Sequence, residues 1–113
     1  MLKPDVIRLR YMREAAHHAL KMAAGRTRYD LDENVMLKMA LTRCLEILGE
    51  AASKVAPETQ AQLLSIPFAQ IVAMRHRLIH AYFDVDLNIV WTTVVEDLPP
   101  LLSALDAALA QAD

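Results

Sequence analysis

Apolar side chains recur every three or four residues along most of this chain, which is the spacing of one face of an α-helix. Three stretches follow this pattern, and a fourth near the carboxyl end has heptad-like spacing. Their apolar positions are Ile7, Tyr11, Ala15, Ala19 and Met22; Leu37, Leu41, Cys44, Leu48 and Ala51; Phe68, Ile71, Val72, Leu78, Ile79 and Tyr82; and Leu87, Val90, Val94, Leu98, Leu101, Leu105 and Ala108. The pattern therefore predicts an all-α fold, an antiparallel bundle of four main helices.

Residues that start or stop helices predict where the first two helices begin and end. Pro4 can open the first helix, and Gly25 can end it. A short basic loop follows, and Asp30 or Asp32 can cap a second helix that runs to about Ser53.

Prolines mark the boundaries in the second half of the chain. Pro57 can start a short extra helix, and Pro67 can start the third main helix. Asp86 can cap the last helix. Residues 99–100 are both proline and must kink or break this helix, because proline lacks an amide donor.

Length and composition fit one helical domain spanning residues 1–113. Hydrophobic residues make up 55% of the chain and aromatic residues only 5%, which suits an alanine- and leucine-rich bundle better than a β-sandwich. No apolar run approaches the roughly 20 residues of a membrane span, and the amino terminus lacks a signal-peptide pattern. We therefore expect a cytoplasmic protein without a membrane partner. The single cysteine, Cys44, lies in an apolar stripe and is expected to be a buried, unreactive thiol.

Chemically active side chains are concentrated in one stretch, which holds Arg75, His76, Arg77, His80 and Tyr82. A solvated helix face, a metal site, phosphate chemistry and a protein-binding surface all fit such a set. Zinc is the weakest of these, because no glutamate base follows the first histidine and no third ligand is evident. Phosphate chemistry would use arginine as a permanent planar cation and histidine as a proton carrier near neutral pH.

Helical geometry separates the two main candidates in this stretch. At about 100° per residue, Arg75 and His80 project about 140° apart, so one straight helix does not aim both at one small target. Either the long arginine side chain or a second copy of the helix is needed to bring them together.

The same stretch resembles a known family. Residues 75–82 match the R-x-x-x-x-H-x-Y signature of HepT-like toxins, a branch of the HEPN superfamily of ribonucleases. Residues 45–52, 66–67, 74–91 and 97–101 also follow the family's pattern in the family's order, so the resemblance covers nearly the whole chain. Two positions depart from it: His76 stands where Asn is frequent, and Ala81 where Gly is frequent.

The resemblance implies the HEPN fold, a homodimer, and an active site in the cleft where the two signature helices meet. The geometry agrees, because in a symmetric pair Arg75 of one chain can approach His80 of the other. The implied reaction is RNA cleavage by the ribose 2′-hydroxyl, without metal or cofactor. His80 would move protons, Arg75 would stabilise charge on the phosphate, and His76 would have an auxiliary role.

Tyr82 carries the regulation that the resemblance implies. HepT-like toxins are paired with a minimal nucleotidyltransferase antitoxin in type VII toxin-antitoxin systems, and the family tyrosine accepts AMP from it. AMP on Tyr82 would add bulk and negative charge beside the site. The alternative function is a non-catalytic dimeric module that binds a nucleotide or the nucleotidyltransferase.

Charge is distributed unevenly along the chain. Its net charge is −2, yet residues 1–28 hold seven Lys and Arg against two acidic residues, which leaves −7 for the remainder. Because a ribonuclease needs positive surface to hold a polyanion, we expect Arg10, Arg13, Arg26 and Arg28 to bind RNA.

Two carboxylates, Glu46 and Glu50, lie one helical turn apart and could form a catalytic pair. The stronger interpretation is a solvated face on which Arg43 and Lys54 pair with them. Gly49 between them costs about 1 kcal/mol relative to Ala in a helix, which indicates a close approach by another helix.

Overall fold

All regular structure in the described residues is helical. The computed structural model describes residues 1–80 and 85–112, with only the backbone described for residues 79 and 80. Within these ranges the helices are α1 Lys3–Ala23, α2 Arg28–Glu33, α3 Val35–Ser53, α4 Pro57–Gln62, α5 Phe68–His80, α6 Leu87–Thr92 and α7 Leu98–Ala110, with a π-helical segment, Thr93–Asp97, joining the last two. The predicted all-α fold is therefore confirmed.

Four long helical units enclose one hydrophobic core: α1, α3, α5 and the continuous run from α6 to α7. Their fully buried side chains include Leu9 and Met12 of α1, Leu45 of α3, and Val94 and Leu105 of the final run. α3 packs between α1 and α5, and α1 also packs against α7. One short extra helix was predicted, and the described residues form two, α2 and α4. No helix in the described ranges has both the length and the apolar character needed to cross a membrane.

The predicted start of the second main helix was wrong. Asp30 belongs to the separate helix α2, where it completes a capping box by accepting a hydrogen bond from the Thr27 amide at 2.7 Å. Asn34 has extended backbone angles, which break the helix, and its side chain caps α3 by accepting from the Leu37 amide at 3.0 Å. Two adjacent capping signals therefore make two helices where periodicity predicted one.

Asp5 ties the start of α1 to the start of α4. Its carboxylate is buried and accepts hydrogen bonds from the Ala56 amide, at 3.0 Å, and from the Thr59 hydroxyl. α4 has no N-cap side chain of its own, so a residue distant in sequence caps it. Because α4 follows α3, this contact sets α1 and α3 antiparallel.

The last long unit confirms two boundary predictions. Asp86 caps α6 through the amides of Asn88, at 2.9 Å, and Ile89, at 3.3 Å. Residues 99–100 lie in the first turn of α7, where a missing amide donor is tolerated, and the π-helical segment is the interruption before them. Trp91 is half-buried and packs against the core.

Candidate active site around Arg75

The candidate site is built on α5, whose buried face fixes the direction of Arg75. Ile71, Met74 and Leu78 recur at helical spacing and pack into the core. Arg75 follows Met74 and lies at the edge of that face, against α3, with 23% of its side chain exposed. A permanent cation is therefore held in a largely shielded position beside a neighbouring helix.

Gly49 of α3 makes room for the aliphatic part of Arg75. A Cβ atom at Gly49 would lie 2.4 Å from Arg75 Cβ, 2.8 Å from its Cδ and 2.9 Å from its Cγ, all closer than real Cβ contacts allow. The close helix approach predicted at Gly49 is confirmed, and its partner is the candidate catalytic arginine.

Glu50, the next residue on α3, binds the charged end of the same side chain. Its Oε2 lies 2.7 Å from Arg75 Nη2, while its Oε1 lies 3.9 Å from Lys54 Nζ. The predicted pairing of Glu50 with Lys54 is present, but the shorter contact is to Arg75. The Arg75 Nε atom is buried without a hydrogen-bond partner among the described residues. Since guanidinium carries five N–H donors, one carboxylate contact orients it and leaves donors for a phosphate.

The other signature residues are described only in part. His76 has an exposed side chain on α5, and His80 is the last residue of that helix, with only its backbone described. Arg75 and His80 are thus five residues apart on one helix, about 7.5 Å along its axis. The prediction for Tyr82 falls outside the described residues.

None of the four arginines predicted to bind RNA lines the cavity beside Arg75. Arg10 and Arg13 line a separate cavity of about 350 Å³, where Arg13 forms an ion pair with Asp106. Arg28 donates from Nε to Asn88 Oδ1 at 2.8 Å, which links α2 to α6, and Arg26 is exposed between α1 and α2.

The described part of the chain holds no group of three or more His, Cys, Asp or Glu side chains placed to bind a metal ion. Burial raises the pKa of the half-buried Cys44 thiol above its ordinary value, because the thiolate loses hydration. The thiol is less buried than expected, while the raised pKa agrees with the expected low reactivity.

Sequence reasoning missed Glu50 as the partner of Arg75. A glycine in mid-helix, directly followed by a carboxylate, was the signal that could have indicated it. Local spacing favoured the Lys54 interpretation, since it contains nothing about which helix packs alongside.

The helices and the contact between Arg75 and Glu50 define an all-α bundle in which an arginine of one helix is paired with a carboxylate of its neighbour. The sequence profile of the family described as "Ribonuclease HepT-like" matches residues 12–108. The chain therefore belongs to the HepT-like ribonuclease family.

Relatives with assigned names agree with this family. The chain is 40% identical over 68 residues to "Putative RNase MJ1216" of Methanocaldococcus jannaschii, covering 60% of this chain and 56% of the relative. It is 42% identical over 64 residues to "Probable ribonuclease HepT" of Thermococcus cleftensis, covering 57% of this chain and 58% of the relative. A third relative, "Putative RNase MJ1380" of M. jannaschii, is 30% identical over 102 residues, covering 89% of this chain and 94% of the relative. In the first two comparisons the chain thus spans little more than half of the relative's length. No solved structure gives a significant match.

Proposed function

We propose that this chain is a metal-independent endoribonuclease and the toxin of a type VII toxin-antitoxin pair. The observation that carries the proposal is the placement of Arg75, which Gly49 accommodates and Glu50 orients at 2.7 Å. The position belongs to the family's R-x-x-x-x-H-x-Y signature. A pre-oriented guanidinium suits stabilisation of a pentacoordinate phosphate, because its donors need no reorganisation as charge develops.

The reaction uses the RNA strand's own nucleophile. The ribose 2′-hydroxyl attacks the adjacent phosphorus, the bond from phosphorus to the 5′-oxygen breaks, and the products are a 2′,3′-cyclic phosphate and a 5′-hydroxyl. His80 accepts or delivers the protons, Arg75 binds the non-bridging oxygens, and His76 assists at the leaving oxygen. Because DNA lacks the 2′-hydroxyl, the mechanism excludes DNA as a substrate.

A homodimer completes the proposed site. Arg75 and His80 diverge by about 140° around one helix, so a symmetric partner supplies the second group more readily than the same helix does. The active site then lies where the two copies of α5 meet.

Regulation by a minimal nucleotidyltransferase antitoxin is part of the same proposal. Transfer of AMP to Tyr82, two residues beyond His80, would place phosphate charge beside Arg75 and compete with RNA. Arg10, Arg13, Arg26 and Arg28 remain proposed as additional RNA contacts.

The direct test incubates the purified chain with total RNA and identifies the ends of the products. We expect 2′,3′-cyclic phosphate and 5′-hydroxyl ends, formed equally well in EDTA, and no cleavage by Arg75→Ala or His80→Ala. Cleavage of an all-DNA version of a good substrate, or loss of activity in EDTA, would exclude the mechanism. Growth toxicity that survives His80→Ala would favour the non-catalytic module instead.

A further inference from the structure

Arg75 lies in a groove of about 420 Å³ formed by α1, α3 and α5. Three further cations line this groove: Arg8 of α1, Arg43 of α3, and Lys54, which directly follows α3. Two carboxylates, Glu46 and Glu50, leave it a net charge of +2, whereas the whole chain carries −2. Positive charge is therefore concentrated around the candidate catalytic arginine.

Two other cavities lack this surplus. The cavity of about 490 Å³ on the other side of α5 has one cation, Arg77, and one carboxylate, Asp97. The cavity that contains Arg13 and Asp106 holds two arginines and two acidic residues. Among these three cavities, the surplus of positive charge is found only in the groove that contains Arg75.

An exposed aromatic ring lines the same groove. Tyr11 of α1 is 50% exposed, although it occupies a position of the apolar stripe, and Ile47 beside the groove is 38% exposed. An uncovered tyrosine ring among cations is the arrangement that single-stranded nucleic acid requires, since its bases stack on aromatic faces while its phosphates bind Lys and Arg. In a duplex the bases are already stacked on one another and the ring would find no partner.

The cations are spread too widely for a single phosphate. Lys54 lies eleven positions after Arg43, a distance of about 16 Å along the axis of α3. Arg8 approaches from the opposite wall on α1. A ligand that engages all of them must carry several phosphates along its length.

We propose that this groove binds single-stranded RNA next to the linkage held by Arg75. Arg8, Arg43 and Lys54 bind successive phosphates, and Tyr11 stacks on one unpaired base. The proposal rests on the proposed ribonuclease function, because it assigns the groove to the substrate of that reaction. It adds a binding surface contributed by α1 and α3, outside the signature helix.

The test measures binding separately from cleavage. A short, unstructured 2′-O-methyl oligoribonucleotide is the probe, since its blocked 2′-oxygen cannot attack the phosphorus. Its affinity is measured over a range of salt concentrations for the unmodified chain and for Arg8→Gln/Arg43→Gln/Lys54→Gln. Because each single-strand phosphate contact contributes about 0.7 to the slope of log K against log salt, the triple variant should lose about two from that slope. Lys21→Gln, an exposed cation of α1 outside the groove, is the matched control and should bind as the unmodified chain does.

Tyr11 provides an independent measurement with the same probe. Tyr11→Leu removes the aromatic face and should weaken binding at least about fivefold, which is the low end of the measured cost of losing one stacked base. Tyr11→Phe keeps the ring and should keep the affinity. A circular-dichroism melting curve for each variant checks the fold.

Each result supports or overturns a separate proposal. An unchanged salt slope in the triple variant, equal binding by Tyr11→Leu, or tighter binding of a duplex of the same chemistry would overturn the groove assignment. If the groove variants lose affinity but the unmodified chain never cleaves RNA, the groove assignment stands and the catalytic function fails. If RNA is cleaved with the expected ends and the groove variants bind normally, only the groove assignment fails.

Discussion

Gly49 and Arg75 pack so closely that a single added methyl group at Gly49 would overlap the arginine side chain, with 2.4 Å between the two Cβ atoms. α3 and α5 can approach this closely only because Gly49 has no side chain. The approach also positions Glu50, the next residue, to bind the guanidinium. One glycine therefore determines both the contact between two helices and the orientation of the candidate catalytic group.

Replacing Gly49 by Ala should destabilise the protein, although the same change in an unhindered helix stabilises by about 1 kcal/mol. Overpacking against Arg75 should reduce the free energy of unfolding by about 1–3 kcal/mol, measured by urea denaturation, and should lower RNA cleavage by displacing the guanidinium. The double variant Gly49→Ala/Arg75→Gly removes the facing Cβ and should recover part of the stability. A Gly49→Ala protein that is as stable as the original would contradict the close packing.

Glu50→Ala should reduce the turnover number for RNA cleavage by about ten- to a hundredfold, because a misplaced catalytic group loses its alignment with the phosphate. Glu50→Gln keeps an acceptor oxygen for Arg75, so its turnover number should lie between those of the unmodified chain and of Glu50→Ala. Glu46→Ala, one turn away in the same groove, is the matched control: it removes equal negative charge and should leave turnover unchanged. Both alanine variants should lower KM, since each makes the groove more positive. Equal loss of turnover in the two variants would mean that Glu50 does not position Arg75.

Mixing two inactive variants tests whether the site is shared between protomers. When equal amounts of the Arg75→Ala protein and the His80→Ala protein exchange subunits, about half of the dimers contain one chain of each kind. In a symmetric dimer with a shared site, one of the two sites in such a mixed dimer has both groups. About a quarter of the original activity should therefore return. Each variant alone should remain inactive. No recovery, with mixed dimers verified by mass spectrometry, would place both groups in one protomer.

Tyr82 should gain mass in units of AMP when the chain is co-expressed with its nucleotidyltransferase partner. Intact-mass and peptide mass spectrometry would measure the gain and locate it, and the modified protein should lose RNA cleavage because the added phosphate charge competes at Arg75. Tyr82→Phe is the control and should stay unmodified. If unmodified and modified protein cleave equally, AMP does not regulate the site.

Asp5→Ala should lower the free energy of unfolding by about 2–4 kcal/mol, because the Ala56 amide and the buried Thr59 hydroxyl both lose a charged acceptor. Glu58→Ala, an exposed acid in the first turn of the same helix α4, should cost less than about 1 kcal/mol. Urea denaturation of both variants measures the difference. Equal costs would indicate that Asp5 acts only through general charge effects.

The sequence by itself determined the helical class and the family. Apolar periodicity is a local property, so it predicted α5 and the last helical unit well, and Asp86 was identified as a cap because capping depends on neighbours three residues away. The signature from Arg75 to Tyr82 is likewise a contiguous pattern, and together with the matching segments along the rest of the chain it predicted the HepT-like family to which the chain belongs.

Tertiary structure alone decided what surrounds Arg75. Its contacts with Glu50 and Gly49 join residues some 25 positions apart, and Arg8 reaches the same groove from another helix. Periodicity predicts which face of a helix is buried but not which helix covers it. The partner of each side chain is therefore fixed only when the helices pack, as it is for Asp5 at the start of α4.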